Sequence, residues 1–181
     1  MVAGSFYMPK SNKAPLGEDA HFIYIEKEAI GVAYGIGCWA KKDRRVVIRD
    51  GVIVYKSEIQ KKGFNYPFQL GNGVKFDDPS VAHEIKVTVR TGDMIMMDTD
   101  GLFDNAHDIE FEKLACDGLD DLHELGTFSK ILARKIAEYA LQNSESKSIY
   151  TPFAIDCLKV GKDGVGGKSD DITVIVARIF P

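Results

Sequence analysis

The residues in this chain best equipped for chemistry are carboxylates, and they are not spread evenly. Glu18 and Asp19 precede the first strand-like stretch. Asp98 and Asp100 end an apolar run in MMDTDGLFDN, with Asp104 shortly after, and Asp170 and Asp171 open the last strand-like run, ITVIVARI. Carboxylates stationed where strands run out into loops can converge at one rim of a sheet pair. Hard divalent cations such as Mg²⁺ and Mn²⁺ want such oxygen ligands. Two of these ions about 3.5–4 Å apart can activate a water and clamp a phosphoryl group for in-line displacement. Taken singly, an Asp before Gly is ordinary turn chemistry. Three acidic strand ends in one small chain point instead to a metal cluster.

Other reactive residue types form no comparable pattern. His21, His83, His107 and His123 have no metal-ligand spacing, and none pairs with a Cys as a nucleophile would. The three cysteines, Cys38, Cys116 and Cys157, lack any C-x-x-C spacing, which fits reduced thiols inside a cell. Gly161 to Gly167 lacks the Lys-Ser/Thr ending of a phosphate-binding loop. Met94, Met96 and Met97 read as core filler, and Trp39 and the aromatic stretch Phe64 to Phe68 as packing. A net charge of -4 gives no nucleic-acid footprint, and the basic run Lys41 to Arg45 reads as a solvated loop or strand entry. No apolar run is long enough to span a membrane. The first residues, MVAGSFYMPK, show neither a secretory core nor an Arg-rich presequence. The expectation is a soluble intracellular protein, cytoplasmic or nuclear, with an organelle left open although no presequence is seen, and with no nucleic-acid or membrane partner.

The elements that must position the carboxylates follow from periodicity. With 181 residues, 45% of them apolar, and no repeat or linker, residues 1–181 read as one domain. His21 to Ile25 and Ala29 to Tyr34 suggest two short strands. RRVVIR, Asp50-Gly51 and VIVYKS spell a hairpin around a type I′ turn. Lys61 to Pro79, rich in Gly and Pro, predicts a long irregular loop. HEIKVTVR alternates like a half-buried strand, and MIMM like a more buried one. Phe128, Ile131, Leu132, Ile136 and Tyr139 share one helical face behind a Thr127 N-cap; Lys135 interrupts that face and would have to snorkel. The pattern predicts an α+β fold built on antiparallel sheets.

Four motifs occur in an order that resembles the metal-dependent type 2C serine/threonine protein phosphatases, in their organelle-type and plant branch: GEDAHF, GVAYGIGCWA, DTDGLFDN and KSDDITVIVA. The stretch VIRDGVIVYKSEIQKKGFNYPFQLGN resembles the same branch. The resemblance implies an antiparallel β-sandwich flanked by helices, a two-ion Mg²⁺ or Mn²⁺ centre and phosphoprotein substrates. By position, Asp100 and Asp170 match metal-binding aspartates, and Gly35 matches the glycine whose carbonyl coordinates one ion. Glu18 and Asp19 match the acidic pair that holds metal-bound waters. Asp171 lies where the family often has Asn.

Departures from the pattern matter as much. Tyr34 precedes Gly35 where the family has an Asp that bridges both ions. A phenol, with a pKa of about 10, is neutral at pH 7 and cannot supply that charge. Cys38 stands where this branch usually has a second Gly. Lys41 to Arg45 leads almost directly into the hairpin, where the family carries long helices, several strands and a Gly-Asp-Ser strand end. The expectation is a truncated sandwich missing internal strands and helices, self-associating through an exposed sheet edge. No Arg precedes Arg44, so an N-terminal phosphate clamp falls to Lys10 or Lys13, or those lysines are simply solvated.

Three functions stay open on these grounds: an active phosphatase, a non-enzymatic pseudophosphatase acting as an interaction module, and a truncated product with no settled function. Tyr34 and the missing segment weigh toward the last two. MIMMDTDGLFDN also resembles the first motif of haloacid-dehalogenase-type phosphatases, with Asp98 as nucleophile. That chemistry requires a doubly wound parallel sheet, which the downstream pattern does not predict.

Overall fold

The computed structural model describes residues 1–13, 15–33, 44–64, 66–68, 77–117 and 125–181. Its centre is a five-stranded, fully antiparallel sheet. The strands are β1 (Val2–Met8), β4 (Arg44–Arg49), β5 (Val52–Lys56), β8 (Met94–Asp98) and β9 (Ile172–Arg178), in the order β1-β9-β8-β4-β5. The strands β2 (Ala20–Tyr24) and β3 (Ala29–Ala33) pair in a separate ribbon, as do β6 (Lys61–Gly63) and β7 (Tyr66–Pro67). Four α-helices accompany the strands among the described residues: α1 (Asp100–Phe103), α2 (Asp108–Asp117), α3 (Leu125–Glu145) and α4 (Pro152–Lys159). An antiparallel sheet rules out the doubly wound parallel sheet that a nucleophilic Asp98 would have required.

Alternation along the strands separates two faces. Ile172, Val174 and Val176 of β9 turn one way with Met94, Met96, Val46 and Ile48, and helices cover them. α3 lies over β1 and β9 and closes that core with Phe128, Leu132, Ile136 and three alanines, Ala133, Ala137 and Ala140. The ribbon lies on the other side, with β3 against β8 and β9. This is a sheet–sheet layer at one position and a sheet–helix layer at the other.

The hairpin β4–β5 forms as its sequence dictates. Asp50 and Gly51 both adopt positive φ, 51° and 78°, which the twist of a tight hairpin turn demands. β8 and β9, which carry the MIMM and ITVIVARI runs, are neighbours in the middle of the sheet.

Several expectations need correction. Residues 83–90, HEIKVTVR, form no regular element, and Ile85 and Val87 stay exposed. Alternation favours a strand only when a neighbour supplies the ladder, and among the described residues none does. The loop expected from Lys61 to Pro79 contains the β6–β7 ribbon. Thr127 lies inside α3, which starts at Leu125. Ile131 and Lys135 are exposed on α3, and alanines take the core-facing places beside Phe128, Leu132 and Ile136. β1, α2 and α4 were not expected.

Candidate functional site

Antiparallel register gathers one rim of the sheet from four distant stretches of chain. β1 ends at Met8 opposite Ile172, the start of β9. β8 ends at Asp98 opposite Val174, and β4 begins at Arg44 opposite Asp98. The segments that carry Glu18–Asp19, Asp98–Asp104 and Asp170–Asp171 therefore all leave the sheet on the same side.

Asp98, Asp100 and Asp104 are buried, an expensive place for charge unless it is paired. A cation answers two of them. The Lys168 ammonium donates to Asp100 Oδ2 at 2.6 Å and to Asp104 Oδ2 at 2.7 Å, and lies 3.6 Å from Asp170 Oδ2. It also sits over the Phe153 ring, 5.4 Å from the centroid. Burial works against the Lys168 charge, but the Asp100 and Asp104 carboxylates outweigh it and hold its pKa above the ordinary lysine value.

The backbone of Lys168 is fixed as firmly as its tip. Fully buried Asn105 accepts the Lys168 N–H on Oδ1 at 2.8 Å and donates through Nδ2 to the Lys168 carbonyl at 2.8 Å. The Asn105 amide also reaches the Gly101 carbonyl, and Asn143 of α3 donates to the Asn105 carbonyl. Gly101 lets α1 press onto the start of β9: a Cβ there would stand 2.1 Å from the Asp171 carbonyl oxygen. The Asp-Gly pair is thus a packing requirement as well as a carboxylate position.

Asp19 and Asp171 act as ties. Asp19 Oδ2 accepts from Thr99 Oγ1 at 2.7 Å and from Thr173 Oγ1 at 2.8 Å, which joins the N-terminal acidic pair to β8 and β9. Asp171 Oδ1 accepts the Lys10 N–H and Oδ2 the Glu18 N–H. Burial, then the charges of Asp171 and Asp19, push the Tyr7 phenol up. Glu18 pairs with Lys13 at 2.5 Å. Lys10 meets the site through its backbone, and the Lys13 ammonium is engaged with Glu18.

The structure thus brings Asp100 and Asp170 to one lysine and sets Asp19 behind the strand ends. Tyr34 and Gly35 lie outside the described residues. Asp100 and Asp170 are donors of the right chemical kind for a divalent ion. With Lys168 between them the arrangement does not fit one. Among the described residues, no three His, Cys, Asp or Glu side chains form a group that could hold a metal. Sequence reading passed over Lys168 because no spacing rule links a lysine to aspartates 68 and 64 residues earlier.

Comparison with known proteins adds the family. No family model matches the chain. The chain is 30% identical over 246 residues to "Probable protein phosphatase 2C 80" of Arabidopsis thaliana, across 99% of this chain and 58% of that protein. It is 29% identical to "Probable protein phosphatase 2C 55" of the same plant, across 99% of this chain and 52% of that protein. It is 35% identical to the human "Protein phosphatase PTC7 homolog", across 74% of this chain and 45% of that protein. The chain thus spans about half the length of these relatives. The 246-residue match exceeds the 181 residues present, so within the matched span the plant relative carries residues with no counterpart here. The X-ray structure of the photosystem II phosphatase PBCP superposes with a TM-score of 0.78 at 20% identity, covering 98% of each chain, and establishes the same fold. No helix among the described residues is long and apolar enough to cross a membrane. From the ordered motifs, the shared fold and these relatives, the chain belongs to the type 2C protein phosphatase family.

Proposed function

We propose that this chain is a type 2C phosphatase-like protein in which the family reaction, metal-dependent hydrolysis of phosphoserine and phosphothreonine in proteins, is weak or lost. The observation that carries the reading is Tyr34, which precedes Gly35 where the family has its bridging Asp. A neutral phenol cannot draw two divalent ions together. Loss of a group that merely supports a ligand costs about 10–100-fold in metal affinity or activity, and loss of a shared ligand costs more. The residues absent within the span matched to the plant relative support the same reading.

Asp100, Asp170 and Gly35 are the metal positions proposed to survive, with Glu18 and Asp19 as the acidic pair of the centre. An Mg²⁺ or Mn²⁺ site built from them would be partial at most, and only with Lys168 moved out from between Asp100 and Asp170. Lys10 and Lys13 are the phosphate-side candidates, and Lys13 is already committed to Glu18. Three cysteines without C-x-x-C spacing fit an intracellular setting.

Hydrolysis of p-nitrophenyl phosphate with and without Mn²⁺ tests the reading. The unmodified chain is expected to turn over slowly or not at all, and Tyr34→Asp to restore metal-dependent turnover. Brisk Mn²⁺-dependent turnover by the unmodified chain, abolished in Asp100→Ala, would overturn the proposal.

A second reading, the interaction module, rests on a separate observation. Phe22 and Tyr24 of the ribbon and Val52 and Val54 of the edge strand β5 are exposed. Apolar side chains exposed along the edge of the described sheet favour association, here with a second copy.

A further inference from the structure

We propose that Lys168 is a built-in cation: its ammonium holds the place between Asp100 and Asp170 that a divalent ion would need, and a metal enters only by displacing it. The inference rests on Asp100 and Asp170 being the cation ligands of the proposed centre.

Geometry makes the case. The ammonium lies 2.6 Å from Asp100, 2.7 Å from Asp104 and 3.6 Å from Asp170. No divalent ion coordinates Asp100 and Asp170 together while that group is there, because two cations cannot share the space. Lys168 is also not a surface side chain that has drifted inward. Asn105 clamps both its backbone N–H and its carbonyl, and Asn105 is buried and held in turn from α3. The Phe153 ring covers the ammonium, and the Phe153 N–H donates to the Asp104 carbonyl at 3.0 Å, tying the lid to one of the lysine's partners.

Two consequences follow. Lys168 offsets part of the negative charge of the acidic centre from within the polypeptide, so the buried Asp100 and Asp104 have a cation beside them without any metal. Any divalent ion competes with a tethered ammonium that is always present at high effective concentration, which weakens its apparent affinity. Asp104 stabilises the lysine, so it opposes metal entry although it is itself acidic.

Titration calorimetry of Mn²⁺ into the full chain, Lys168→Met and Asp104→Asn tests this, with thermal unfolding in chelator and in Mn²⁺ alongside. Lys168→Met is expected to bind Mn²⁺ at least tenfold tighter than the unmodified chain, to melt lower in chelator and to regain its melting temperature in Mn²⁺. Asp104→Asn is expected to bind several-fold tighter despite losing a carboxylate; a simple ligand role for Asp104 gives the opposite sign. Recovery of Lys168→Met in folded form only when Mn²⁺ is present supports the proposal. If that variant folds under neither condition, the sign of the Asp104→Asn effect decides. Equal Mn²⁺ affinity in all three proteins overturns the built-in cation while leaving Asp100 and Asp170 as ligands. No binding by any of them removes both.

Discussion

The Asp171 carboxylate holds the main chain of Glu18, its Oδ2 accepting the Glu18 N–H at 2.6 Å. Its other oxygen accepts the Lys10 N–H at 2.7 Å, so one buried side chain at the head of β9 closes the 10–18 loop over the rim. A hydrogen bond to a charged group contributes about 1.5–3 kcal/mol. Asp171→Asn turns one acceptor into a donor facing an N–H. It is expected to lose about 2–3 kcal/mol in urea unfolding. Faster amide exchange at Lys10 and Glu18 would locate the effect; unchanged exchange there would refute this role.

Arg49 and Asp93 give a pH signature. Arg49 Nε and Nη2 donate to the two Asp93 oxygens at 2.8 Å each, and the Arg90 N–H adds a third bond. The Arg49 bond, partly opposed by burial, holds the Asp93 carboxyl below the usual carboxylate range. With a depressed native pKa, its stabilisation is present above the unfolded value of about 3.9 and is lost as pH falls through the lower native value. Melting temperature should therefore fall steeply below about pH 4. Asp93→Asn should flatten that limb while already melting lower at neutral pH. An unchanged acid limb would assign the pH dependence to other carboxylates.

Gly4 lets β1 lie close against α3. A Cβ there would stand 2.4 Å from the Lys130 backbone nitrogen and 2.7 Å from its Cα, so neither element can yield cheaply. Gly4→Ala is expected to cost about 1–3 kcal/mol by overpacking. Gly63→Ala, where none of the described atoms lies within 4 Å of the added carbon, serves as the control and should be close to neutral in the same melt.

Association through the exposed apolar residues should depend on protein concentration. Sedimentation velocity is expected to show a growing dimer fraction for the unmodified chain, and Val52→Lys with Val54→Lys should return it to monomer. A sharp monomer at every concentration would count against the interaction-module reading.

How much of this was legible in the sequence varied with how local the physics was. Asp50-Gly51 declared its hairpin because the turn geometry is written in two adjacent residues. ITVIVARI and MIMM were readable because strands buried on both faces are apolar throughout. β1 escaped notice: VAGSFYM mixes Gly, Ser and aromatics, and becomes a strand only because β9 offers a ladder. HEIKVTVR failed in the opposite direction, with the right alternation and no described neighbour. α4 carried a readable signal, since Thr151 caps the Ala154 N–H and Pro152 stands at the first helical position. At the site, the aspartates could be picked out by type and position at strand ends. Lys168 could not, because its role exists only after strands from opposite parts of the chain have met.

That separation has a consequence for the newborn protein. Asp100 leaves the ribosome 68 residues before Lys168, and β9, which joins β1 to β8, comes after both. During synthesis the carboxylates of α1 must stay hydrated, because sealing them away without their ammonium would strand bare charge. The acidic rim is therefore a late event in the life of each molecule. A ribosome stalled before residue 168 would hold a chain whose hairpin β4–β5 can form while its centre cannot.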